Sequence, residues 1–189
     1  MSAATTTTTS PRAKPRARRV ARQSPLPCYG VADGVYSLRS TMTAGECGVV
    51  DRALSILGAR LRDPGGALDD PRDMAAYLKL QIGGDTCERF SVLYLDAKCR
   101  ALAYECHFTG TLTQTSVYPR AIVEAAFKHR AVSVVLAHNH PSGSVTPSRA
   151  DEALTQTLKA ALALIDVSVL DHIIVGGDKT LSMAEKGFM

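Results

Sequence analysis

Two histidines one residue apart, His138 and His140, are followed by Ser148 and, three residues later, by Asp151. Imidazole nitrogens and carboxylate oxygens are metal ligands, and the surrounding residues indicate how these ones meet. Val132 to Ala137 is a short apolar run rich in β-branched residues, the pattern of a buried strand. Side chains alternate faces along a strand, so His138 and His140 leave its end on the same side. Pro141 cannot continue the ladder, and the chain turns there. Residues 142–147 then lead to Ser148, a strong helix N-cap candidate. Asp151 falls in the first turn of the helix that follows, where it can face back toward the two imidazoles.

Two histidines and one carboxylate make three protein ligands. Structural zinc sites are closed by four, usually rich in cysteine, whereas catalytic zinc sites keep three and leave a position for water. This donor set suits Zn2+ best among common ions, although ligand type alone also admits iron, nickel, cobalt or manganese. A zinc-bound water has its pKa lowered to about 7, so hydroxide becomes available near neutrality. Each piece alone has an ordinary structural reading. Ser148 and Asp151 could be a helix cap with the acid meeting the positive end of the dipole, and two histidines could be loop residues. Taken together, with a strand before and a helix after, they predict a metal site. The contiguous tripeptide His-Asn-His is no evidence for an HNH nuclease, in which the three residues lie far apart along the chain.

The block resembles the JAMM (MPN-plus) metalloprotease signature, in which a Glu precedes His-x-His-x10-Asp with a Ser three before the Asp. Its flanks narrow the match: Thr109-Gly110-Thr111, Val117-Tyr118-Pro119-Arg120, Ala137 to Gly143 and Leu170 to Gly176 together resemble the RadC family, which carries a domain of this type. The resemblance runs from about Glu88 to the C-terminus and weakly back to residue 46. It implies a general base just before the first strand of the sheet. Glu88, directly before Phe90 to Asp96, fits that place, and Glu105 on the next strand is the competitor. It further implies that this Glu hydrogen-bonds the zinc water and then protonates the leaving amine, while Ser148 orients or stabilises the oxyanion. Most full-length relatives carry an N-terminal helix-hairpin-helix DNA-binding module, of which no convincing sign is found here, and Ser144 stands where relatives usually have Asp.

Composition sets the bounds. At 189 residues there is room for one domain with a substantial core. No stretch of eighteen apolar residues exists, which argues against a membrane span, and no apolar segment of a secretory signal precedes Cys28. Five cysteines (Cys28, Cys47, Cys87, Cys99, Cys106) without a C-x-x-C pair predict free thiols in a reducing cytoplasm. Six of the 22 cations (Arg12, Lys14, Arg16, Arg18, Arg19, Arg22) lie in residues 1–27, which hold no acid, leaving 16 cations against 18 acids beyond. The low-complexity tail over residues 1–30 is expected to be disordered and offers either a solvated terminus or a weak, salt-sensitive nucleic-acid arm.

The elements that must position the site follow from periodicity. Residues 31–86 are expected to form a helical segment, and residues 87–189 the metal-binding domain. Val49, Val50, Leu54, Leu57 and Leu61 form a core-facing helical stripe, stopped by Arg62 to Gly66. Asp70-Pro71 starts a helix to about Ile82. Strands are predicted near 89–96, 100–107 and 112–117. A helix from Pro119 follows, with Ile122, Val123, Ala126 and Phe127 inward, and then the strand into His138. A helix from Ser148 to about Ala163 and strands near 167–175 and 179–182 complete the pattern. The fold class is α/β, a mixed β-sheet flanked by helices on both sides, in keeping with a JAB/MPN-like domain. His172 is expected to be a hydrogen-bonded structural residue with room for a role behind the metal ligands, and His107 and His129 to be surface or sheet residues. The chemistry so read is that of a zinc-dependent metallopeptidase or isopeptidase acting on a peptide, isopeptide or small amide. The alternative is a DNA-repair or DNA-metabolism accessory protein that binds rather than cleaves.

Overall fold

The computed structural model describes residues 41–60, 71–110 and 117–189. The first helix, α1 (Ala44–Arg60), begins two residues before the expected Glu46 because Thr43 and Glu46 cap it reciprocally. Thr43 N–H donates to Glu46 Oε2 at 2.7 Å, and Glu46 N–H donates to Thr43 Oγ1 at 3.4 Å. Helix α2 (Pro71–Ile82) starts on proline, whose missing N–H costs nothing there. It stops at Gly83, where a Cβ would lie 2.5 Å from the Lys79 carbonyl oxygen.

Strands β1 (Arg89–Leu95) and β2 (Ala101–Thr109) form a hairpin. Its turn is closed by Asp96, whose Oδ1 accepts from Lys98 N–H and Arg100 N–H at 2.9 and 3.0 Å. Helix α3 (Pro119–His129) leads to β3 (Ser133–Asn139). Helix α4 (Arg149–Ala163) then crosses to β4 (Ser168–Gly176), and β5 (Lys179–Ser182) closes the sheet. The strand order is β2-β1-β3-β4-β5, with β3 and β4 parallel and every other neighbouring pair antiparallel. This is a mixed five-stranded sheet in an α/β fold.

Strand β3 is buried along its whole length, because a core lies on each face of the sheet. On one face Leu93, Leu95, Val135, Ala137, Ile173 and Val175 pack against Met74, Tyr77, Leu78 and Ile82 of α2, with Leu54 and Leu57 of α1 behind them. On the other, Val92, Tyr94, Val134 and Leu136 meet Ile122, Ala125 and Ala126 of α3 and Leu158 and Leu162 of α4.

Three sequence expectations are corrected. Cys87 is disulfide-bonded rather than a free thiol, whereas Cys99 and Cys106 keep theirs, so the inference of a reducing compartment loses its premise. Phe127 is 64% exposed and Ala125 takes its place inside, since the helix rolls onto its small residues to approach the sheet. Val49 likewise stands 70% exposed. The basic tail, Leu61 with the Arg62 to Gly66 stop, Asp70 and residues 112–116 of the expected third strand lie outside the described residues. Among the described residues, no helix is long and apolar enough to cross a membrane.

Candidate metal centre

The end of β3 delivers both histidines to the face that packs on α3 and α4. His138 sits opposite Phe90 of β1 in the antiparallel register and opposite Ile174 of β4 in the parallel one. Its ring lies nearly parallel to that of Phe90, with centroids 6.5 Å apart, and only 2% of its side chain is exposed. His140 is more open, and its N–H donates to the Val175 carbonyl at 2.8 Å, which extends the β3–β4 pairing one step past the strand. The two Nε2 atoms stand 2.9 Å apart.

Asp151 reaches the same point from α4. Ser148 caps this helix as its sequence predicts: Ser148 Oγ accepts from Asp151 N–H at 3.2 Å, and Ser148 N–H and Oγ–H each donate to Asp151 Oδ2 at 2.7 Å. The carboxylate is thereby held by one oxygen, while Oδ1 lies 3.4 Å from His138 Nε2. The cap and the candidate ligand are one residue doing both.

Glu88 completes the group. Phe90 pairs with His138, so continuing the register two residues outward sets Glu88 across from His140 on the same face. Ligand atoms of Glu88, His138, His140 and Asp151 all lie within 4.8 Å of one another. The competitor Glu105 is placed elsewhere: its Oε1 takes hydrogen bonds from Lys128 Nζ and His129 Nε2 of α3 at 2.6 and 2.7 Å. His107 also lies away from the group, its Nε2 2.7 Å from the Tyr94 hydroxyl.

Sequence reasoning missed Asn139, the middle of the tripeptide. Alternation turns it to the α2 face, where it is buried. Its Oδ1 accepts from Arg89 N–H at 2.7 Å, and its Nδ2 donates to the carbonyls of Asp85 and Cys87 at 3.1 and 3.0 Å. These bonds grip the chain on both sides of Glu88, while the Glu88 carbonyl accepts from Gly110 N–H at 2.8 Å. The signal was available, since a buried asparagine between two histidines needs backbone partners. Asn139→Leu, similar in shape, is expected to lower the unfolding free energy by at least about 1–3 kcal/mol, the cost of one buried polar group left bare. Denaturant melts of the two proteins check this, and equal midpoints would show that the clamp holds nothing.

The electrostatics separate the two histidines. Burial pushes the His138 imidazole down to about 4, against the pull of Asp151, and pushes His172 behind it down to about 3. His140 shifts upward because the Asp151 carboxylate beside it outweighs its partial burial. Burial alone would raise the Asp151 carboxyl. The hydrogen bond from His140, the nearby His138 and the two Ser148 bonds hold it below the ordinary carboxylate range.

In the loop between His140 and Ser148, the contact at Ser144 is made by the main chain. His140 Nδ1 is 2.9 Å from the Ser144 main-chain oxygen, which can only accept, so Nδ1 carries a proton and, in the neutral ring, Nε2 keeps its lone pair. The backbone makes this contact, whatever side chain stands at 144. The loop is seated on Gly176, where a Cβ would lie 2.5 Å from the Gly143 oxygen and 3.0 Å from the Ser144 oxygen. Gly176→Ala should force that backbone away, at a cost of about 1–3 kcal/mol typical of overpacking. A lower thermal midpoint together with weaker metal binding is the expected result, and a wild-type midpoint would remove Gly176 from the site's support.

Two imidazoles and two carboxylates, with nitrogen lone pairs turned to a shared point, form a donor set that fits a divalent cation and a metal-dependent hydrolase. Comparison with known proteins agrees. A family profile described as RadC-like JAB domain matches residues 68–188. A UPF0758 protein of Acidovorax sp. (strain JS42) is 57% identical over 141 residues, covering 75% of this chain and 59% of that protein. One from Variovorax paradoxus (strain S110) is 54% identical over the same length, covering 75% and 62%. One from Janthinobacterium sp. (strain Marseille) is 58% identical over 125 residues, covering 66% and 56%. The chain thus spans about three fifths of the length of these relatives. The strand-end histidines, the capped aspartate and the profile that runs through all of them agree, and the chain belongs to the RadC-like JAB domain family.

Proposed function

We propose that this chain is a zinc-dependent hydrolase of peptidase or isopeptidase type, cleaving an amide bond in a peptide, an isopeptide or a small amide. The observation that carries the reading is the division between the two acids. Asp151 is fixed by Ser148 and held ionised at the histidines. Glu88 comes from a different element, the residue just before β1, and brings its carboxylate to the same group. One acid is built to hold and the other is placed to work.

His138, His140 and Asp151 would hold a Zn2+, which would supply Lewis acidity and lower the pKa of its water to about 7. Glu88 accepts the proton of the attacking water and returns it to the leaving nitrogen. Ser148 orients the developing oxyanion by turning its hydroxyl proton out of the bond to Asp151, and the capping bond from Ser148 N–H keeps the carboxylate in place meanwhile.

The test is a screen of the purified chain against peptide, isopeptide and small-amide libraries, with and without added Zn2+, and with chelator. Turnover that needs the metal supports the reading. Turnover insensitive to chelator, or none in any class, sinks it.

A further inference from the structure

Behind His138 runs a buried polar chain whose direction is fixed at its far end. The main-chain carbonyl of Asp151 can only accept, so Thr155 Oγ1, 2.6 Å away, gives its single proton there. The Met183 sulfur, 3.9 Å from the same hydroxyl, is a weak acceptor and does not compete. Thr155 therefore offers only lone pairs to His172 Nδ1 at 2.6 Å, and Nδ1 must carry the proton of that ring. His172 is fully buried, with Phe90 in edge contact with its ring and no acid in hydrogen-bond reach of its ring nitrogens, so the ring is neutral and its Nε2 is an acceptor. That nitrogen lies 2.8 Å from His138 Nδ1, which accordingly donates. A neutral His138 with its proton on Nδ1 presents a bare Nε2 to His140 and Asp151.

We propose that Thr155 and His172 are positioning residues for the metal centre, ordering protons along this chain so that His138 turns a lone pair toward the ion. This deepens the metal reading above and rests on it. The chain also closes a loop: it starts at the Asp151 carbonyl and ends at a histidine facing the Asp151 carboxylate, so one residue of α4 sets both. Ligating histidines commonly lean on a carboxylate, a backbone carbonyl or a water. Here the support is a second, neutral histidine on β4, which works only while the proton order is kept.

The test uses the whole 189-residue chain with Co2+ alone as probe, read by its visible absorption and by titration. Thr155→Val keeps the shape and removes the hydroxyl, so nothing accepts from His172 Nδ1 and His138 is free to take the wrong tautomer. Co2+ affinity is expected to fall ten- to a hundredfold, the range typical for partners behind metal ligands, with a changed absorption band. Thr155→Ser should restore both. His172→Leu should match Thr155→Val. His172→Gln should recover binding, since its amide oxygen can accept from His138 and its NH2 can donate to Thr155. Because the two residues act through one chain, the double variant Thr155→Val with His172→Leu should lose less than the two single losses combined. Should His172→Leu fail to fold, the Thr155→Val and Thr155→Ser pair decides. Wild-type affinity and spectrum in Thr155→Val would overturn the proposal, as would a loss that Thr155→Ser does not repair, which would assign the effect to packing. A wild type that binds Co2+ no better than His138→Ala would overturn the metal reading itself, and the relay with it.

Discussion

Glu88→Gln should leave the protein folded and metal-loaded while its hydrolysis falls by a factor on the order of 10² to 10⁴, the usual worth of a general base. The amide is close to the carboxylate in size, so it can stay beside His140 and keep a hydrogen bond to water. What it loses is the ability to take a proton. The proposed ligands each have supports of their own: Ser144 and Val175 hold His140, His172 holds His138, and Ser148 holds Asp151. Metal occupancy should therefore stay at the wild-type level. Glu105→Gln is the matched control, because its carboxylate is engaged with Lys128 and His129 and should leave turnover unchanged. Loss of activity only in the Glu105 variant would overturn the assignment, and loss of metal from the Glu88 variant would make that residue a ligand.

The second large effect is on the metal itself. Asp151→Ala or His138→Ala should weaken Zn2+ binding by on the order of a hundredfold or more, since even partners behind the ligands are worth about 10- to 100-fold. Three ligands leave no spare. Elemental analysis of chelator-free protein, backed by competition titration, is the measurement, and a wild type with no metal affinity would falsify the site. Acid should have the same effect as mutation, because imidazoles bind metal only when neutral. The two histidines should not contribute equally. His138 is pushed down to about 4 and is already neutral well below pH 6, whereas the shift of His140 above its ordinary ~6.5 lets protons compete there first. Affinity should fall as pH drops through the region of the His140 pKa. In Asp151→Asn, where the charge that raises His140 is gone, the fall should move to lower pH.

Much of this was legible in the chain. The alternation that brings His138 and His140 to one side, the proline that ends the run and the serine that starts the next helix are local rules, and the structure follows each. So did Glu88, through motif position and not through any local signal. What could not be read was whatever depends on which element lies across the sheet. Helical spacing puts Phe127 beside Val123 and Ile122 on the expected inner face, but the close approach of α3 favours Ala125 and Ala126 and turns the larger ring out. Cys87 gave no local sign of a disulfide. The role of Asn139 emerges only when β1 is seen to begin beside it. His172 was visible as a polar residue on an apolar strand, but its partner Thr155 lies on another element, and no periodicity links the two.

The pairing of β1 with β3 makes the chemistry a matter of parity. Glu88 and Phe90 share the face of His138 and His140 because all four occupy even positions in one register. One residue inserted between Glu88 and Phe90 would send the carboxylate through the sheet to the α2 side, among the carbonyls gripped by Asn139. Two inserted residues would restore the face but carry the acid about 7 Å along the strand, out of reach of the histidines. The turn from Asp96 to Arg100 lies at the opposite end of β1 and can lengthen without disturbing either relation. Chains built on this plan are thus free to gain or lose residues at one end of the sheet, while the few positions from Glu88 to Phe90 and from His138 to His140 must keep their count.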